Sequence, residues 1–301
     1  MSANKPKVII IVGPTGSGKS SLALSLAKRF DGYLISADSR QLYKGMDIGT
    51  NKDKGKWEKG RYMVDGIPEY MVDILEPGED FTVSNWLQRV KDIIAEHPRQ
   101  LPIIVGGTGL YTTAFTKGYE FGAEADPRLR QELNELFKKE GLAPLVRRLR
   151  DCSPEAADTV DVKNHRRVIR AIESCELNKK AGQEDPAYDI LVLGLEVSRP
   201  ELYDKIDARG DQMIEAGLID EVKALKKQEI PPDSPAMTGI GYRQIVSYLE
   251  GDIDLPEAVR LIKRDTRRYA KRQMTWFKGQ EEIIWIRTAK EAQKLIESFL
   301  Q

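Results

Sequence analysis

An eight-residue glycine-rich segment constrains the fold of this chain most strongly. An apolar, β-branched run at 7–12 precedes it and predicts a buried strand, and residues 21–29 follow with helical spacing. In that setting backbone N–H groups, the positive end of the helix and the Lys19 ammonium converge on phosphate oxygens. We therefore predict a phosphate site, with the Ser20 hydroxyl available to a Mg²⁺ ion on those phosphates. The segment fits G-x-x-x-x-G-K-[ST] and comprises Gly13, Pro14, Thr15, Gly16, Ser17, Gly18, Lys19 and Ser20.

Composition limits the broad class of the protein. Its 301 residues allow one large α/β domain with a smaller one, and 41% hydrophobic with 31% charged residues is typical of soluble globular proteins. No apolar run reaches the length of a membrane span and the N-terminus lacks an apolar signal core, so we expect a cytoplasmic protein. With 47 basic and 47 acidic residues, binding to nucleic acid would need local patches. Cys152 and Cys175 lack metal-site spacing, and we expect two idle thiols in a reducing compartment.

The pattern of elements predicts a parallel sheet interrupted by a helical insertion. Strands alternate with helices, so ligands are expected at the carboxyl ends of the strands. The charged, helix-like texture at 121–187 predicts an insertion domain between core segments 1–120 and 188–301. Residues 44–70 are rich in Gly, Lys and Asp and predict a loop. The predicted strands lie at 33–37, 71–75, 101–105, 190–195 and 282–286, and the predicted helices at 81–96 and at about 199–227, 235–250 and 256–277.

Two further strand ends are expected to face the phosphate site. The strand at 101–105 runs into a glycine-rich segment, 106–109, without the acidic residue that holds magnesium in many ATPases. The available carboxylate is Asp38, which could be a magnesium ligand, a general base or only a turn-stabilising residue. The segment 106–109 offers backbone N–H groups and the Thr108 hydroxyl to a ligand, or it serves only as a tight turn.

Basic residues cluster at two places in this neutral chain. Seven of them recur at helical spacing between residues 260 and 272, where Glu257 and Asp265 are the nearby acids. A second cluster, His165 with three arginines, lies in the predicted insertion. Such runs are often solvated faces, but their local imbalance favours a footprint for a nucleic acid with salt-sensitive affinity. The first cluster comprises Arg260, Lys263, Arg264, Arg267, Arg268, Lys271 and Arg272, and the second adds Arg166, Arg167 and Arg170.

Together these segments resemble the bacterial tRNA dimethylallyltransferases, or tRNA isopentenyltransferases, of the IPP transferase family. The resemblance spans nearly the whole chain in family order, and the runs at 38–41 and 267–273 are more specific than the phosphate loop. The matching runs are GPTGSGKS at 13–20, DSRQ at 38–41, YKGMDIGT at 43–50, VGGTGLY at 105–111, RRVIRA at 166–171, GLIDEV at 217–222, GIGYRQ at 239–244 and RRYAKRQMTWF at 267–277.

The resemblance implies a fold, a reaction and a cofactor. The fold would be α/β, a P-loop NTPase-like parallel sheet flanked by helices, with an inserted all-helical domain. The reaction would transfer a dimethylallyl group from its diphosphate to N6 of the adenosine 3′ of the anticodon, position 37 of the tRNA. Residues 13–20 and Mg²⁺ on Ser20 would hold the diphosphate, helped by Lys19 and Arg209. Asp38 would accept the N6 proton, and Thr108 would place the amine.

The resemblance also implies partners and a tRNA footprint. The partners would be tRNA, through its anticodon arm, and dimethylallyl diphosphate; no membrane is involved, and we expect a monomer. Two departures are visible. Gly16 and Ser17 stand where many members carry Ala and Ser or Val, away from the proposed catalytic groups. The family also commonly has paired histidines after its Ile-Pro, where this chain has Glu69 and Tyr70, so the role of residues 60–75 stays open. The tRNA residues would be Asp38, Ser39, Arg40, Gln41 and Thr108 at the flipped adenosine, and Arg130, Arg166, Arg167, Arg170, Gly239, Ile240, Gly241, Tyr242, Arg243, Gln244, Lys271, Arg272 and Gln273 at the anticodon arm.

Three other functions stay open at the level of sequence. A small-molecule kinase could use the same loop for ATP, but it would leave the basic clusters unexplained. An enzyme that prenylates free adenine nucleotides would need neither these clusters nor the long insertion. A non-catalytic, nucleotide-responsive RNA-binding protein would not need Asp38.

Overall fold

The computed structural model describes residues 5–120, 126–177, 182–183, 186–231 and 234–301. The chain divides into two compact units. Unit 1, the larger, comprises Met1–Thr116 and Pro186–Gln301, and unit 2 comprises Lys117–Asp185. The sequence predicted the insertion at 121–187, within a few residues of the boundaries of unit 2.

The strands of both units are numbered in chain order. Eight of them form the sheet of unit 1, and β7 pairs with β8 in unit 2. They are β1 Lys7–Val12, β2 Gly32–Ser36, β3 Lys56–Glu58, β4 Arg61–Val64, β5 Ile67–Tyr70, β6 Leu101–Gly106, β7 Tyr119–Glu120, β8 Gly182–Gln183, β9 Asp189–Leu195 and β10 Ile283–Ile286.

The helices alternate with the strands in unit 1 and make up most of unit 2. Several begin at a side chain that caps free backbone N–H groups, such as Thr82 before α2, Ser198 before α8 and Asp254 before α11. They are α1 Lys19–Arg29, α2 Val83–Glu96, α3 Gly109–Thr116, α4 Pro127–Glu140, α5 Leu142–Cys152, α6 Pro154–Thr159, α7 His165–Glu176, α8 Arg199–Glu215, α9 Leu218–Lys226, α10 Tyr242–Leu249, α11 Leu255–Lys278 and α12 Ala289–Leu300.

The sheet of unit 1 runs in the order β10-β9-β1-β6-β2-β5-β4-β3. The first six strands are parallel, and β4 and β3 are antiparallel additions at one edge. Because β1, β6 and β2 are adjacent and parallel, their carboxyl ends meet at one edge of the sheet, as expected for an α/β ligand site. This α/β arrangement confirms the predicted fold class.

The strands of the sheet centre are apolar on both faces because helices cover both faces. Residues 8–12 of β1 are all buried, and the packing of α1 and α12 against β1, β6 and β9 forms one core cluster. Unit 2 has its own core, in which Leu133, Leu145, Val168 and Ile172 from α4, α5 and α7 are fully buried. Each unit therefore has an independent hydrophobic cluster.

Several sequence predictions for unit 1 are wrong in detail. The loop predicted at 44–70 contains β3, β4 and β5, and the strand predicted at 71–75 lies instead at Ile67–Tyr70. Met71 and Asp73 have φ of 62° and 53°, a left-handed conformation that ends a strand. The helix predicted at about 199–227 is divided into α8 and α9 at Gly217, where φ is 102°.

The other helix boundaries of unit 1 also differ in part. The helix predicted at about 235–250 begins only at Tyr242, because 234–241 forms turns that end at Gly241 with φ of 96°. The long helix predicted at about 256–277 is confirmed as α11, and the sequence did not predict α12. Among the described residues, no helix is both long and apolar enough to span a membrane.

The expectation of two idle thiols is also wrong. Cys152 at the end of α5 and Cys175 in α7 form a disulfide within unit 2, with their Cα atoms 6.3 Å apart. Sequence reasoning missed it because the 23-residue separation matches no metal motif, and only the packing of α5 against α7 brings the two sulfurs together. In a chain-entropy model, a closed loop of this length stabilises the folded state by about 3 kcal/mol.

Candidate active site

The glycine-rich segment 13–20, which we call the phosphate loop, joins the carboxyl end of β1 to the first turn of α1. Gly16 and Gly18 have φ of 83° and 89°, which side chains other than glycine rarely adopt. With these conformations, backbone N–H groups of the loop and the amino end of α1 face one space, where they can bind an anion. The Ser17 hydroxyl is buried and has no hydrogen-bond partner among the described residues.

The Lys19 side chain lies back over this loop. Its ammonium donates to the Pro14 carbonyl oxygen at 3.4 Å. Burial lowers the pKa of Lys19 to about 8; Asp38 opposes this shift and Arg209 adds to it. A bound diphosphate would supply the negative charge that favours the ammonium form.

Asp38 lies in the turn that follows β2. Its Oδ1 accepts the backbone N–H of Arg40 at 2.9 Å, so the turn-stabilising interpretation of Asp38 holds for this oxygen. The neighbouring Ser39 N–H donates to the Thr108 hydroxyl oxygen at 3.1 Å, and Thr108 N–H donates to the Ala37 carbonyl. Thr108 therefore fixes the orientation of the Asp38 turn, in addition to the substrate contact predicted for it.

The adjacent Arg40 and Gln41 side chains are held by the protein. The Arg40 guanidinium donates to the Pro235 carbonyl oxygen. The Gln41 amide oxygen accepts the Ser36 hydroxyl at 2.9 Å, and its nitrogen donates to the Asn51 carbonyl at 3.3 Å. These contacts connect the turn after β2 to two other segments of unit 1.

Gln273 of α11 connects the ends of β1 and β6. Its side-chain oxygen accepts the Thr15 N–H at 2.8 Å, and its side-chain nitrogen donates to the Gly107 carbonyl at 2.8 Å. A Cβ at Gly107 would lie 2.2 Å from this nitrogen, so the contact requires glycine. The side chain is buried and both of its polar groups are used within the protein, so its contacts support a structural role rather than the predicted contact with tRNA.

Arg209 of α8 also contacts the phosphate loop. Its guanidinium donates to the Thr15 hydroxyl oxygen at 2.9 Å, although the two residues are 194 positions apart. Burial lowers the pKa of Arg209, and Asp38 opposes that shift. A second cation therefore lies against the same loop as Lys19.

Two pockets of unit 1 meet at Asp38. Both are lined by Thr15, Asp38, Thr50 and Arg209. The first, which we call the loop pocket, also includes Gly16, Gly18, Lys19, Ser20, Asp53 and Glu69. The second, which we call the acceptor pocket, also includes Ser39, Arg40, Met213, Thr238, Gly239, Ile240, Tyr242, Arg243, Ile262, Tyr269 and Arg272.

The acceptor pocket combines apolar, aromatic and polar surface. Met213, Ile262 and Tyr269 were not predicted as site residues, whereas Gly239, Ile240 and Tyr242 were. The signal for the first three was weak, because apolar residues at helical spacing predict only core packing. An apolar chain and a purine base are both compatible with such a lining.

The segment 47–49, beside the acceptor pocket, is fixed by a single carboxylate. Glu221 of α9 accepts the N–H groups of residues 47, 48 and 49 at 2.7–3.1 Å, and the Tyr242 hydroxyl at 2.6 Å. Burial and the Glu221 charge raise the pKa of Tyr242, which keeps its hydroxyl a donor. The nearby Gln244 is also buried, where it accepts the Gly241 N–H and donates to Asp265.

The loop pocket contains acidic residues that the sequence did not single out. Burial raises the pKa of Asp53, and the nearby Ser20 hydroxyl opposes that shift. Burial also raises the pKa of Glu69 to about 8, with a further contribution from the Asp53 charge. In the described part of the chain, no group of three or more His, Cys, Asp or Glu residues could hold a metal ion by itself.

The basic face of α11 is largely neutralised, in part by acids of α8 that the sequence pattern did not reveal. Lys263 pairs with Asp211 at 2.6 Å, and Arg267 pairs with Asp207, both acids being on α8. Arg260 pairs with Glu257 at 2.6 Å. Lys271 and Arg272 are exposed at the end of this face, and Arg272 also lines the acceptor pocket.

The arginines predicted to bind tRNA in unit 2 have unequal environments. Arg130 forms two hydrogen bonds of 2.7 Å with Glu173, which is fully buried, and Arg170 lies 3.3 Å from the same carboxylate. Part of their charge therefore compensates a buried acid. Arg166 and Arg167 are exposed on α7, where Arg167 lies 3.7 Å from Asp161.

Comparison with known proteins identifies the family. A family model described as IPP transferase matches residues 41–280. A tRNA dimethylallyltransferase of Heliobacterium modesticaldum is 42% identical, over 96% of this chain and 92% of that protein. One from Thermomicrobium roseum is also 42% identical, over 95% and 87% of the respective chains.

Solved structures lead to the same family. The crystal structure of a tRNA isopentenylpyrophosphate transferase from Bacillus halodurans is similar with a TM-score of 0.73 and 39% identity, covering 98% of this chain and 97% of that one. A eukaryotic dimethylallyltransferase acting on tRNA has a TM-score of 0.74 and 26% identity, covering 93% and 73%. The chain therefore belongs to the IPP transferase family, whose members among these relatives carry the name tRNA dimethylallyltransferase.

Proposed function

We propose that this protein transfers a dimethylallyl group from dimethylallyl diphosphate to N6 of adenosine 37 in tRNA. The observation that carries the proposal is the pair of pockets that meet at Asp38, Thr15 and Arg209. One pocket is built for phosphate oxygens, and the other has room and apolar surface for the acceptor base and the prenyl chain. Family membership favours this reaction over the kinase and over the non-catalytic RNA-binding protein.

In this proposal the loop pocket holds the diphosphate. The backbone of residues 13–20, the Lys19 ammonium and the Arg209 guanidinium surround its oxygens. Charge on these oxygens grows as the bond to the prenyl carbon breaks, so fixed positive groups stabilise the transition state more than the ground state. No ATP is consumed, because the diphosphate is itself the leaving group.

Mg²⁺ fits the same pocket. The Ser20 hydroxyl lines it beside Lys19, and oxygen atoms are the ligands that Mg²⁺ prefers. When bound, the ion supplies positive charge to the departing diphosphate.

Asp38 acts between the two pockets. The N6 nitrogen of the adenine forms a bond with C1 of the dimethylallyl group while the C1–oxygen bond breaks, and that electron pair leaves with the diphosphate. The N6 proton passes to the Asp38 carboxylate. The hydrogen bonds from Arg40 N–H to Asp38, and from Ser39 N–H to Thr108, hold the carboxylate in place for this transfer.

The acceptor adenosine has to leave the base stack of the anticodon loop to reach Asp38. We propose that Lys271 and Arg272 contact phosphates of the anticodon arm, and that the exposed arginines of α7 in unit 2 make further phosphate contacts. Positively charged side chains at these places support phosphate contacts without specifying sequence.

A direct test uses radiolabelled dimethylallyl diphosphate, Mg²⁺ and two tRNA transcripts that differ only at position 37, adenosine or guanosine. We expect label in the adenosine transcript alone, and none from a parallel tube that holds free AMP. Label in AMP would indicate the enzyme that prenylates free nucleotides. Phosphate released from ATP in a third tube, without prenyl transfer, would indicate a kinase.

A further inference from the structure

Glu69 of β5 is an unusual residue for the interior of a sheet. It is 5% exposed, and its Oε2 has no hydrogen-bond partner in the described part of the chain. A buried carboxylate oxygen without a partner costs free energy unless a cation or a proton offsets its charge. The side chain lines the loop pocket, together with Lys19, Ser20 and Asp53.

Lys52 interacts electrostatically with Glu69, but its ammonium is hydrogen-bonded to other groups. Lys52 is buried, and its ammonium donates to the Tyr43 carbonyl at 3.1 Å, to Asp47 at 2.6 Å and to Asp73. An ammonium has three N–H donors, and these three contacts use them all. Lys52 therefore attracts the Glu69 carboxylate electrostatically but does not complete its hydrogen bonding.

The neighbouring Asp53 increases the need for a cation. It lines the same pocket as Glu69 and Ser20, and it interacts electrostatically with Glu69. Two carboxylates that face one pocket repel each other unless positive charge lies between them. Ser20 is the residue whose hydroxyl would touch a metal ion on the diphosphate.

The set of ligands matches one kind of cation. Mg²⁺ is usually held by one or two carboxylates together with substrate phosphates and water, rather than by a cage of protein ligands. Here the described residues offer two carboxylates and a hydroxyl but no group of three or more His, Cys, Asp or Glu residues that could hold a metal. The missing ligands would be oxygens of the diphosphate.

We infer that Asp53 and Glu69 form, with Ser20, the protein side of a divalent-cation site that is completed only by the diphosphate. The two carboxylates supply the acidic metal ligands that the end of β6 lacks: Asp53 lies in the segment before β3, and Glu69 lies in β5. This inference rests on the proposed function for the identity of the diphosphate. The protein should then bind the cation and the diphosphate together, each strengthening the other.

The test measures cation binding without prenyl transfer. The full chain is titrated with Mn²⁺, followed by electron paramagnetic resonance, with and without inorganic pyrophosphate. We expect Mn²⁺ to bind at least about tenfold more tightly when pyrophosphate is present. In Glu69→Gln and Asp53→Asn, this affinity should fall at least about tenfold, whereas metal-free pyrophosphate should bind as well as before or more tightly, because a negative charge has been removed.

Glu58→Gln and Asp65→Asn are matched controls. Both remove an exposed carboxylate from the same edge of the sheet, and they should leave Mn²⁺ binding unchanged. Unchanged Mn²⁺ binding in the Glu69→Gln and Asp53→Asn variants would overturn the inference. Loss of metal-free pyrophosphate binding together with a lower unfolding temperature would also overturn it, because that result would indicate a structural role. Prenyl transfer is not measured here, so a failure of the proposed function would leave the Mn²⁺ result intact, and the reverse also holds.

Discussion

Asp38 combines a structural contact with a position where two pockets meet. Its Oδ1 accepts the Arg40 N–H, and the residue lines both the loop pocket and the acceptor pocket. Asparagine at this position keeps an oxygen for the same N–H but cannot take up a proton. The turn contact and the proposed chemistry can therefore be separated by one substitution.

We predict that Asp38→Asn lowers single-turnover transfer by about 10²–10⁴-fold, the range for loss of a general base. Binding of pyrophosphate and of tRNA should stay within about twofold of the wild type, by calorimetry and filter binding. The control, Asp31→Asn, changes an exposed residue whose φ of 48° asparagine tolerates. Full transfer by Asp38→Asn, or loss of tRNA binding, would contradict the role of Asp38 as the base.

Lys19 gives the site a pH dependence. Burial lowers its pKa to about 8, so in the free enzyme the ammonium is largely present at pH 7 and is lost as the pH rises through about 8. Affinity for pyrophosphate should therefore weaken above that pH, by up to about tenfold per pH unit. Calorimetric titration with pyrophosphate across this pH range measures the effect. The Lys19→Arg variant stays charged, so its affinity should not weaken above about pH 8. An equal weakening of affinity in Lys19→Arg would show that another group titrates.

The sequence was informative about residues that belong to a local pattern. Residues 13–20 and Asp38 follow strands, and their chemistry depends on neighbours within a few positions. Glu69, Asp53 and the contact from Arg209 to Thr15 depend on packing between distant segments, so spacing along the chain could not reveal them. For the same reason the pairing of Arg130 with buried Glu173 was not foreseen.

At the level of elements, α11 supports the site as well as presenting charge. Gln273 on its buried face links the phosphate loop to the turn after β6 by two hydrogen bonds. The position of the phosphate loop therefore depends on a helix that begins more than 230 residues later, as the positions of Gly13 and Leu255 show.

We predict that Gln273→Met lowers the free energy of unfolding by about 1–3 kcal/mol, because the Thr15 N–H and the Gly107 carbonyl lose their partner. The Michaelis constant for dimethylallyl diphosphate should rise, since the loop is less well held. Denaturant unfolding and steady-state kinetics measure the two effects. Thr275→Ala, on the exposed face of the same helix, is the control. Unchanged stability in Gln273→Met would mean that the link carries little energy.

The elements themselves were predictable to different degrees. The buried strands β1, β2, β6 and β9 and the helix α11 were found, because long apolar runs and sustained helical spacing are strong signals. The antiparallel strands β3 and β4 were missed; in β3, the strand at the edge of the sheet, exposed residues such as Trp57 and Lys56 leave no clear alternation. The break between α8 and α9 depends on a single glycine, Gly217, within an otherwise helical pattern.

At the scale of the whole molecule, a neutral protein has to bind a polyanion through local charge. The ion pairs from α11 to α8 reduce the seven basic residues of the sequence cluster to a smaller exposed group. The footprint of the nucleic acid on unit 1 is therefore expected near Lys271 and Arg272 rather than along the whole helix.

We predict that replacing Lys271 and Arg272 with alanine weakens tRNA binding. The slope of log Kd against log salt concentration should also decrease by about 1.4–1.8, from the loss of two phosphate contacts. Filter binding over a series of KCl concentrations measures both. The matched control replaces Arg260 and Lys263, which are already paired with Glu257 and Asp211 and should change the slope less. An unchanged slope in the first variant would locate the tRNA elsewhere.

In the proposed reaction the phosphate loop holds the leaving diphosphate while Asp38 accepts the N6 proton of adenosine 37. The most direct measurement quantifies released pyrophosphate and prenylated adenosine in the same single turnover, with purified protein, Mg²⁺, dimethylallyl diphosphate and unmodified tRNA, and without ATP. We predict equal amounts of both products, with the modified nucleoside located at position 37 by mass spectrometry. Pyrophosphate release without modified adenosine, or transfer that requires ATP, would contradict the account.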